Sequence, residues 1–175
     1  MTRATVSLVI AAFVFSLTNF APGAKAELAP VTTFWGLSLG QPEEEAERLK
    51  GISTTHVISG PACWGSDTSA PFTETWSYQS DGGVYRVNLR DHKIWSVIFY
   101  ANKGVAPEFL VGALGDTQGA LEAKLGPPST ISVSQDGSAR WIAFEKYSVA
   151  YQLQNDSVIM FGIYDPMQGL IRFCD

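Results

Sequence analysis

The residues that could carry out chemistry in this chain are few and widely spaced. The sequence holds two histidines, His56 and His92, and two cysteines, Cys63 and Cys174. Neither histidine has a partner at the spacing of a zinc site. No Gly-x-Ser-x-Gly elbow, phosphate-binding loop or His-Glu-x-x-His segment occurs. We therefore predict no catalytic residue, no metal site and no cofactor.

Acidic residues offer one further route to catalysis, because two carboxylates that meet in space can hydrolyse a glycoside. Nothing in their spacing favours such a pair, so we interpret them as surface charge and keep a carboxylate-based hydrolase as an alternative. The run Glu43-Glu44-Glu45, followed by Arg48 and Lys50, is typical of a helix whose charges match its dipole. The dispersed candidate acids are Asp67, Glu74, Asp81, Glu145 and Asp165.

Residues 1–26 have the pattern of a secretory signal peptide. Arg3 precedes an apolar run from Val6 to Leu17, and Ala24-Lys25-Ala26 is a small-x-small cleavage site. The run is shorter than the roughly 20 residues of a membrane span, and polar and turn residues follow it. We expect a periplasmic or secreted protein that begins at Glu27 and has no membrane anchor after cleavage.

The charge balance excludes some classes of partner. The sequence has 12 Lys and Arg against 17 Asp and Glu, a net charge of −5. Removing Arg3 and Lys25 leaves 12 − 2 = 10 against 17, about −7. Without a basic stripe, nucleic acid and anionic membrane surfaces are poor partners.

Two stretches of the chain show the same order of elements. Each begins with Leu-Gly, continues as a short helical segment, and ends that helix at Gly51 or Gly126. Asp116 is expected to cap the second helix. Strands follow in each stretch, with hairpin turns predicted at Asp91-His92 and Asn155-Asp156. The predicted strands lie near 52–59, 72–79, 84–90, 93–100, 129–134, 138–145, 147–154 and 157–164.

The two stretches also align with each other. Residues 76–100 match 141–164 when one turn residue is omitted, so that Trp76 meets Trp141. This alignment predicts a tandem repeat.

The predicted fold follows from joining these repeats edge to edge. After a leader at 27–35, repeat one spans 36–101 and repeat two spans 108–175. Each contributes a helix and four antiparallel strands. The result is an α+β protein of one compact domain, with one sheet of roughly eight strands and both helices on one face.

Strand alternation predicts which side chains face away from the helices. With each hairpin turn counted as two residues, Leu89 pairs with Ile94 and Tyr85 with Ile98 on the helix side. The opposite face then mixes aromatic, aliphatic, amide and guanidinium groups, a composition suited to recognition. A cover over this face, by the loop at 60–70 or by a second copy, is the alternative. The candidate binding residues are Arg86, Asn88, Trp95, Phe99, Gln152, Ile159 and Phe161.

A family resemblance points the same way. The segment LGDTQGALEAKLGPP resembles the Gly-x5-Leu-x3-Leu-Gly-x-Pro signature of small exported proteins similar to the outer-membrane assembly lipoprotein BamE. Duplicated units of this kind are similar to the β-lactamase inhibitor protein family, whose two helix-plus-sheet repeats form a concave sheet that grips an enzyme. The matching residues are Gly115, Leu121, Leu125, Gly126 and Pro128.

The resemblance implies a fold and a binding role, and it has two departures. No lipid-anchor cysteine is present, and the two cysteines lie in distant segments, whereas the inhibitor closes its bridges within repeats. No functional residue of either family is therefore carried over.

These observations predict an exported, non-catalytic binding protein. It would recognise a protein partner through an exposed aromatic sheet face, as an inhibitor or an envelope accessory would. The alternative is a small-molecule or lipid-binding protein with an apolar pocket between sheet and helices, lined by Trp76 and Trp141.

We predict that Cys63 and Cys174 form a disulfide, because an oxidising compartment favours pairing over a reactive Cys63 thiol. The separation is 174 − 63 = 111 positions, and the chain-entropy model gives about 4–5 kcal/mol for such a loop. Reduction should lower the melting temperature measured by calorimetry. Recovery of both residues as free thiols in a non-reducing peptide map would contradict the pairing.

Overall fold

The computed structural model describes five parts of the chain. The predicted signal peptide, Asp67, Cys63 and Cys174 lie outside them, so export and the disulfide stay predictions. The described residues are 28–59, 73–101, 109, 111–134 and 136–168.

The described chain is built from short helices and antiparallel strands. No helix among these residues is long and apolar enough to cross a membrane. In chain order the elements are β1 (Thr33–Phe34), β2 (Leu37–Ser38), α1 (Glu43–Lys50), β3 (Thr55–Ser59), β4 (Thr73–Ser80), β5 (Gly83–Arg90), β6 (Lys93–Ala101), α2 (Gln118–Leu125), β7 (Thr130–Val133), β8 (Ala139–Phe144), β9 (Val149–Gln154) and β10 (Ser157–Tyr164), with single 3-10 turns at Glu145–Tyr147 and Pro166–Gln168.

Eight of the strands form one antiparallel sheet. Its order is β3-β4-β5-β6-β10-β9-β8-β7, so β6 and β10 pair at the centre. β1 and β2 form a separate two-stranded hairpin. The predicted α+β architecture with an eight-stranded antiparallel sheet is confirmed, while the duplication of two units stays a prediction.

The two predicted hairpin turns pass through residues with left-handed backbone. The φ angles are 50° at Asp91 and 60° at His92, and 50° at Asn155 and 59° at Asp156. Two successive positive φ values define a type I′ turn, whose twist matches that of the flanking strands. Both predicted hairpin turns are confirmed.

A β-bulge follows each of these turns in the returning strand. The extra residue is Trp95 in β6 and Ile159 in β10. Because side chains alternate between faces, one inserted residue exchanges the faces of every residue beyond it in that strand.

Both helices pack on the same side of the sheet, as predicted. Ala46 of α1 and Leu121 and Leu125 of α2 belong to one large apolar cluster with strand residues that include Val87 and Phe161. We call this side the helix-side face.

The N-terminal segment adds aromatic packing to the helix-side face. Trp35 stacks on Tyr85 with ring centroids 4.0 Å apart and planes 6° from parallel. Phe34 packs against Phe161 at 5.8 Å, and the N–H of Val31 donates to the carbonyl of Tyr147 at 2.8 Å. The predicted irregular leader at 27–35 is therefore wrong at its end, where β1 begins and the chain joins the core.

The start of α2 also differs from the prediction. Thr117 is the N-cap, and its hydroxyl accepts the N–H of Ala120 at 3.2 Å. Asp116 instead accepts from Lys124 at 2.9 Å and from the Ala113 N–H at 3.0 Å. The bond from Lys124 lowers the pKa of Asp116.

Gly162 should be essential to the pairing of the two central strands. A Cβ there would lie 2.2 Å from the carbonyl oxygen of Val97 and 2.7 Å from Cα of Ile98. We expect Gly162→Ala to destabilise the protein by about 1–3 kcal/mol through overpacking, measured by denaturant unfolding.

Gly119→Ala is the matched control. The nearest atom to a Cβ at Gly119 is the Thr117 hydroxyl at 4.0 Å. Alanine favours the helix over glycine by about 1 kcal/mol, so this variant should not lose stability. Equal stability of the two variants would contradict the packing argument at Gly162.

Candidate binding face

The sheet has a second apolar cluster on the side opposite the helices. Tyr100 and Ile159 pack against it, and no residue of α1 or α2 belongs to it. We call this side of the sheet the helix-free face. The buried members of its cluster are Trp95, Ile98, Trp141, Ala143, Ala150, Met160 and Tyr164.

The structure separates the predicted binding residues into two groups. Phe99 and Phe161 belong to the helix-side cluster, are fully buried, and have ring centroids 5.7 Å apart. Their assignment to the opposite face was wrong, because both follow a bulge. The other five lie on the helix-free face or at its bulges: Arg86, Asn88, Trp95, Gln152 and Ile159.

A signal in the sequence could have revealed the two bulges. The uninterrupted register places Ser96 opposite Val87 and Gly162 opposite Val149, on the helix side. In the structure Val87 pairs with Val97 and Val149 with Ile163, two larger apolar residues. A serine and a glycine among residues that are otherwise apolar indicate that this register is wrong.

The helix-free face is accessible only in part. Trp95 is 2% exposed and Trp141 is 4% exposed, so the predicted exposed aromatic face is wrong at its centre. Arg86 is exposed, and Ile159 and Tyr100 are partly exposed. The accessible part therefore lies around Arg86 on β5 and its neighbours.

A row of polar side chains crosses three strands of this face. Thr75 donates its hydroxyl hydrogen to Asn88 Oδ1 at 2.8 Å, and Asn88 Nδ2 donates to Ser96 Oγ at 2.6 Å. Asn88 and Ser96 are buried, and Ser96 pairs in register with Tyr164. Because buried polar groups are costly without partners, this row links β4, β5 and β6 specifically.

Gln152 Oε1 and the Tyr164 hydroxyl are buried on the same face and have no hydrogen-bond partner among the described residues. Burial, and secondarily the charge of Glu145, raise the pKa of the Tyr164 hydroxyl. Gln152 pairs in register with Trp141 and with Met160, and its amide oxygen could accept a hydrogen bond.

Arg86 and Tyr100 form an organised pair at the accessible part of the face. Arg86 Nη1 donates to the Tyr100 hydroxyl at 2.8 Å, and its guanidinium carbon lies 4.2 Å from the ring centroid. Arg86 pairs in register with Ile98 and Tyr100 with Val84, so the two are diagonal neighbours. The sequence interpretation missed Tyr100, because the register without a bulge does not place it beside Arg86.

The predicted apolar pocket lined by two tryptophans is not formed. Trp76 belongs to the helix-side cluster and Trp141 to the cluster of the helix-free face, so the sheet lies between them. A cavity of about 190 Å³ lies elsewhere, beside Arg140 and Asp156 at the ends of β8 and β9.

Four of the residues considered for catalysis, the two histidines with Glu74 and Glu145, take part in surface interactions. Glu74 contacts His56 and accepts the indole N–H of Trp76 at 3.0 Å, while His92 contacts Glu43 at 3.0 Å. Glu145 accepts from Thr130 at 3.3 Å. Within the described ranges, no group of three or more His, Cys, Asp or Glu side chains could hold a metal ion.

Comparison with known proteins finds similarity in structure and not in sequence. No protein-family model matches the chain, and no curated protein sequence matches it. A cysteine-rich secretory protein from Staphylococcus aureus matches at 12% identity and a TM-score of 0.49, covering 82% of this chain and 48% of its own. An extracellular protein containing an SCP domain, from Bacillus anthracis, matches at 10% identity and a TM-score of 0.47, covering 82% and 49%.

A third similar structure belongs to a candidate β-lactamase inhibitor protein from Streptococcus mutans. It is 13% identical, with a TM-score of 0.31, and the match covers 75% of this chain and 86% of that one. The chain spans about half the length of the first two structures. These similarities assign no family to the chain.

Asn88 should contribute to stability through the polar row. We expect Asn88→Ala to lower the free energy of unfolding by about 1–3 kcal/mol, because Thr75 and the buried Ser96 lose their partner. Gln79→Ala, an exposed amide in the adjacent strand, should change it by no more than about 0.5 kcal/mol. Denaturant unfolding measures both, and equal effects would contradict the role given to the row.

Proposed function

We propose that this chain is an exported, non-catalytic protein that binds a protein partner through the helix-free face. The observation that carries the proposal is the accessible Arg86–Tyr100 pair on a sheet face that neither helix covers. An arginine held on an aromatic ring loses little further freedom on binding, and Arg and Tyr are enriched at the energetic centres of interfaces.

The surroundings of Arg86 also favour recognition of a protein. Ser77 and Gln79 are the neighbouring positions on β4, and Thr55 pairs with Ser77 from β3. These uncharged hydrogen-bonding groups are exposed or partly exposed. Together with the partly exposed Ile159 they provide the polar and apolar mixture that protein interfaces use.

The rest of the proposal rests on the sequence. The pattern of residues 1–26 supports export, and the absence of a recognised catalytic arrangement in the sequence supports a binding role. The duplication of 36–101 and 108–175 is retained as a proposal. Its support is the order of helix, strands and bulged hairpin in each stretch, with the bulges at Trp95 and Ile159.

A small-molecule ligand is a second candidate function, favoured by one observation. The buried Gln152 Oε1 lacks a hydrogen-bond donor within the described part of the chain, and a ligand that carries an N–H or O–H group could supply it. Native mass spectrometry of the protein isolated from its producing cell tests this candidate. A mass equal to that of the polypeptide alone would argue against a retained ligand.

Blocking the helix-free face should abolish partner capture. We propose Gln79→Trp, which adds a bulky group at an exposed position next to Val84, the residue that pairs with Tyr100 on its other side. Envelope extract and culture fluid of the producing cell are passed over immobilised wild type and variant. We expect a protein captured by the wild type to be lost with Gln79→Trp.

The matched control is Glu44→Trp, which places the same group at an exposed position of α1. It should capture the partner as the wild type does. Equal capture by Gln79→Trp and Glu44→Trp would show that the helix-free face is not the binding surface.

A further inference from the structure

Charge is distributed unevenly between the two faces of the sheet. Among the described strands the one acidic residue is Glu74, which pairs with Leu89 on the helix-side face. The charged residues that these strands place on the helix-free face are all basic: Arg86, Arg90 and Lys93. A chain with a net charge of −5 thus has a sheet face whose described strands carry positive charge alone.

Arg86 is the residue of this set that is best placed to meet a partner. Arg90 is buried, with its guanidinium 5.0 Å from the ring centroid of Trp95, and burial lowers the pKa of Arg90. Lys93 lies at the end of the hairpin, beside the turn. Arg86 is exposed in the middle of β5, and no carboxylate among the described residues bonds to it.

The geometry of the Arg86–Tyr100 pair suits a carboxylate. Nη1 of Arg86 is bonded to the tyrosine hydroxyl and the guanidinium is held near the ring. A guanidinium has five N–H donors, so one bond to Tyr100 leaves donors for a second acceptor. A carboxylate accepts two parallel N–H bonds from such a group, and the bond is charge-assisted.

We propose that the partner of the helix-free face presents an acidic segment, with an Asp or Glu carboxylate that binds Arg86 beside Tyr100. This inference rests on the proposed function and names the chemistry of its partner. The uncharged side chains of Ser77 and Gln79, next to Arg86, are then hydrogen-bonding neighbours of the same segment. An acidic segment is also repelled by the rest of this acidic chain, which directs it to this face.

The test uses three synthetic peptides of twelve residues: alternating Glu-Thr, alternating Gln-Thr and alternating Lys-Thr. Binding to the processed full chain is measured by NMR titration at low and at physiological ionic strength. We expect the Glu-Thr peptide to bind at least tenfold more tightly than the other two and to shift the amide signals of Arg86 and Tyr100. Raising the salt concentration should weaken this binding, because exposed charges are screened.

Two arginine variants make the test specific. Arg86→Gln should weaken binding of the Glu-Thr peptide at least tenfold. Arg48→Gln removes the same charge from an exposed position of α1, where Arg48 pairs with Glu45 at 2.6 Å. This variant should change the affinity for the Glu-Thr peptide less than twofold. Equal binding by both variants, or no preference for the Glu-Thr peptide, would overturn the inference.

The result is separable from that of the face-blocking experiment. Suppose that Gln79→Trp abolishes capture of a partner while Arg86→Gln leaves that capture and peptide binding unchanged. The proposal of an acidic partner is then wrong, and the proposal that the helix-free face binds a protein is retained. If Gln79→Trp and Glu44→Trp capture equally, the proposed function itself is wrong.

Discussion

The β-bulges that follow the type I′ turns at 91–92 and 155–156 decide what each face of this sheet contains. Without Trp95 and Ile159 as extra residues, Ser96 and Gly162 would enter the apolar core and Phe99 and Phe161 would face the other side. With them, both phenylalanines join the helix-side cluster. One extra residue in each hairpin thus decides which face of the sheet each later side chain of β6 and β10 occupies.

The pairing of β6 with β10 joins the two halves of the sheet, and it imposes its own constraint. Gly162 lies against the backbone of Val97 and Ile98, where no side chain fits. The N-terminal segment then spans the join, since Phe34 packs on Tyr85 of one half and on Phe161 of the other. Close backbone contact at Gly162 and aromatic packing by Phe34 therefore both stabilise the junction between β6 and β10.

The helix-free face combines a buried centre with an accessible, positively charged part. The polar row from Thr75 to Ser96 fixes the relative positions of β4, β5 and β6, and these strands carry Arg86 and Tyr100. The proposed recognition residue is thereby placed on rigid strands, with its guanidinium oriented by a ring. This arrangement favours specificity, because a partner that lacks an acceptor would leave the arginine without a second hydrogen bond.

The sequence by itself determined the α+β class, the two helices, the four antiparallel strands that follow each helix and both hairpin turns. These features depend on local signals: a glycine after each helix, alternation along each strand, and short polar turns. It signalled an irregularity through Ser96 and Gly162 but did not place the bulges, because a bulge is set by which side chains the other elements allow into the core. Tyr100 as the partner of Arg86, the separation of Trp76 from Trp141, and the charge of each face all follow from that packing, so only the tertiary structure decided them.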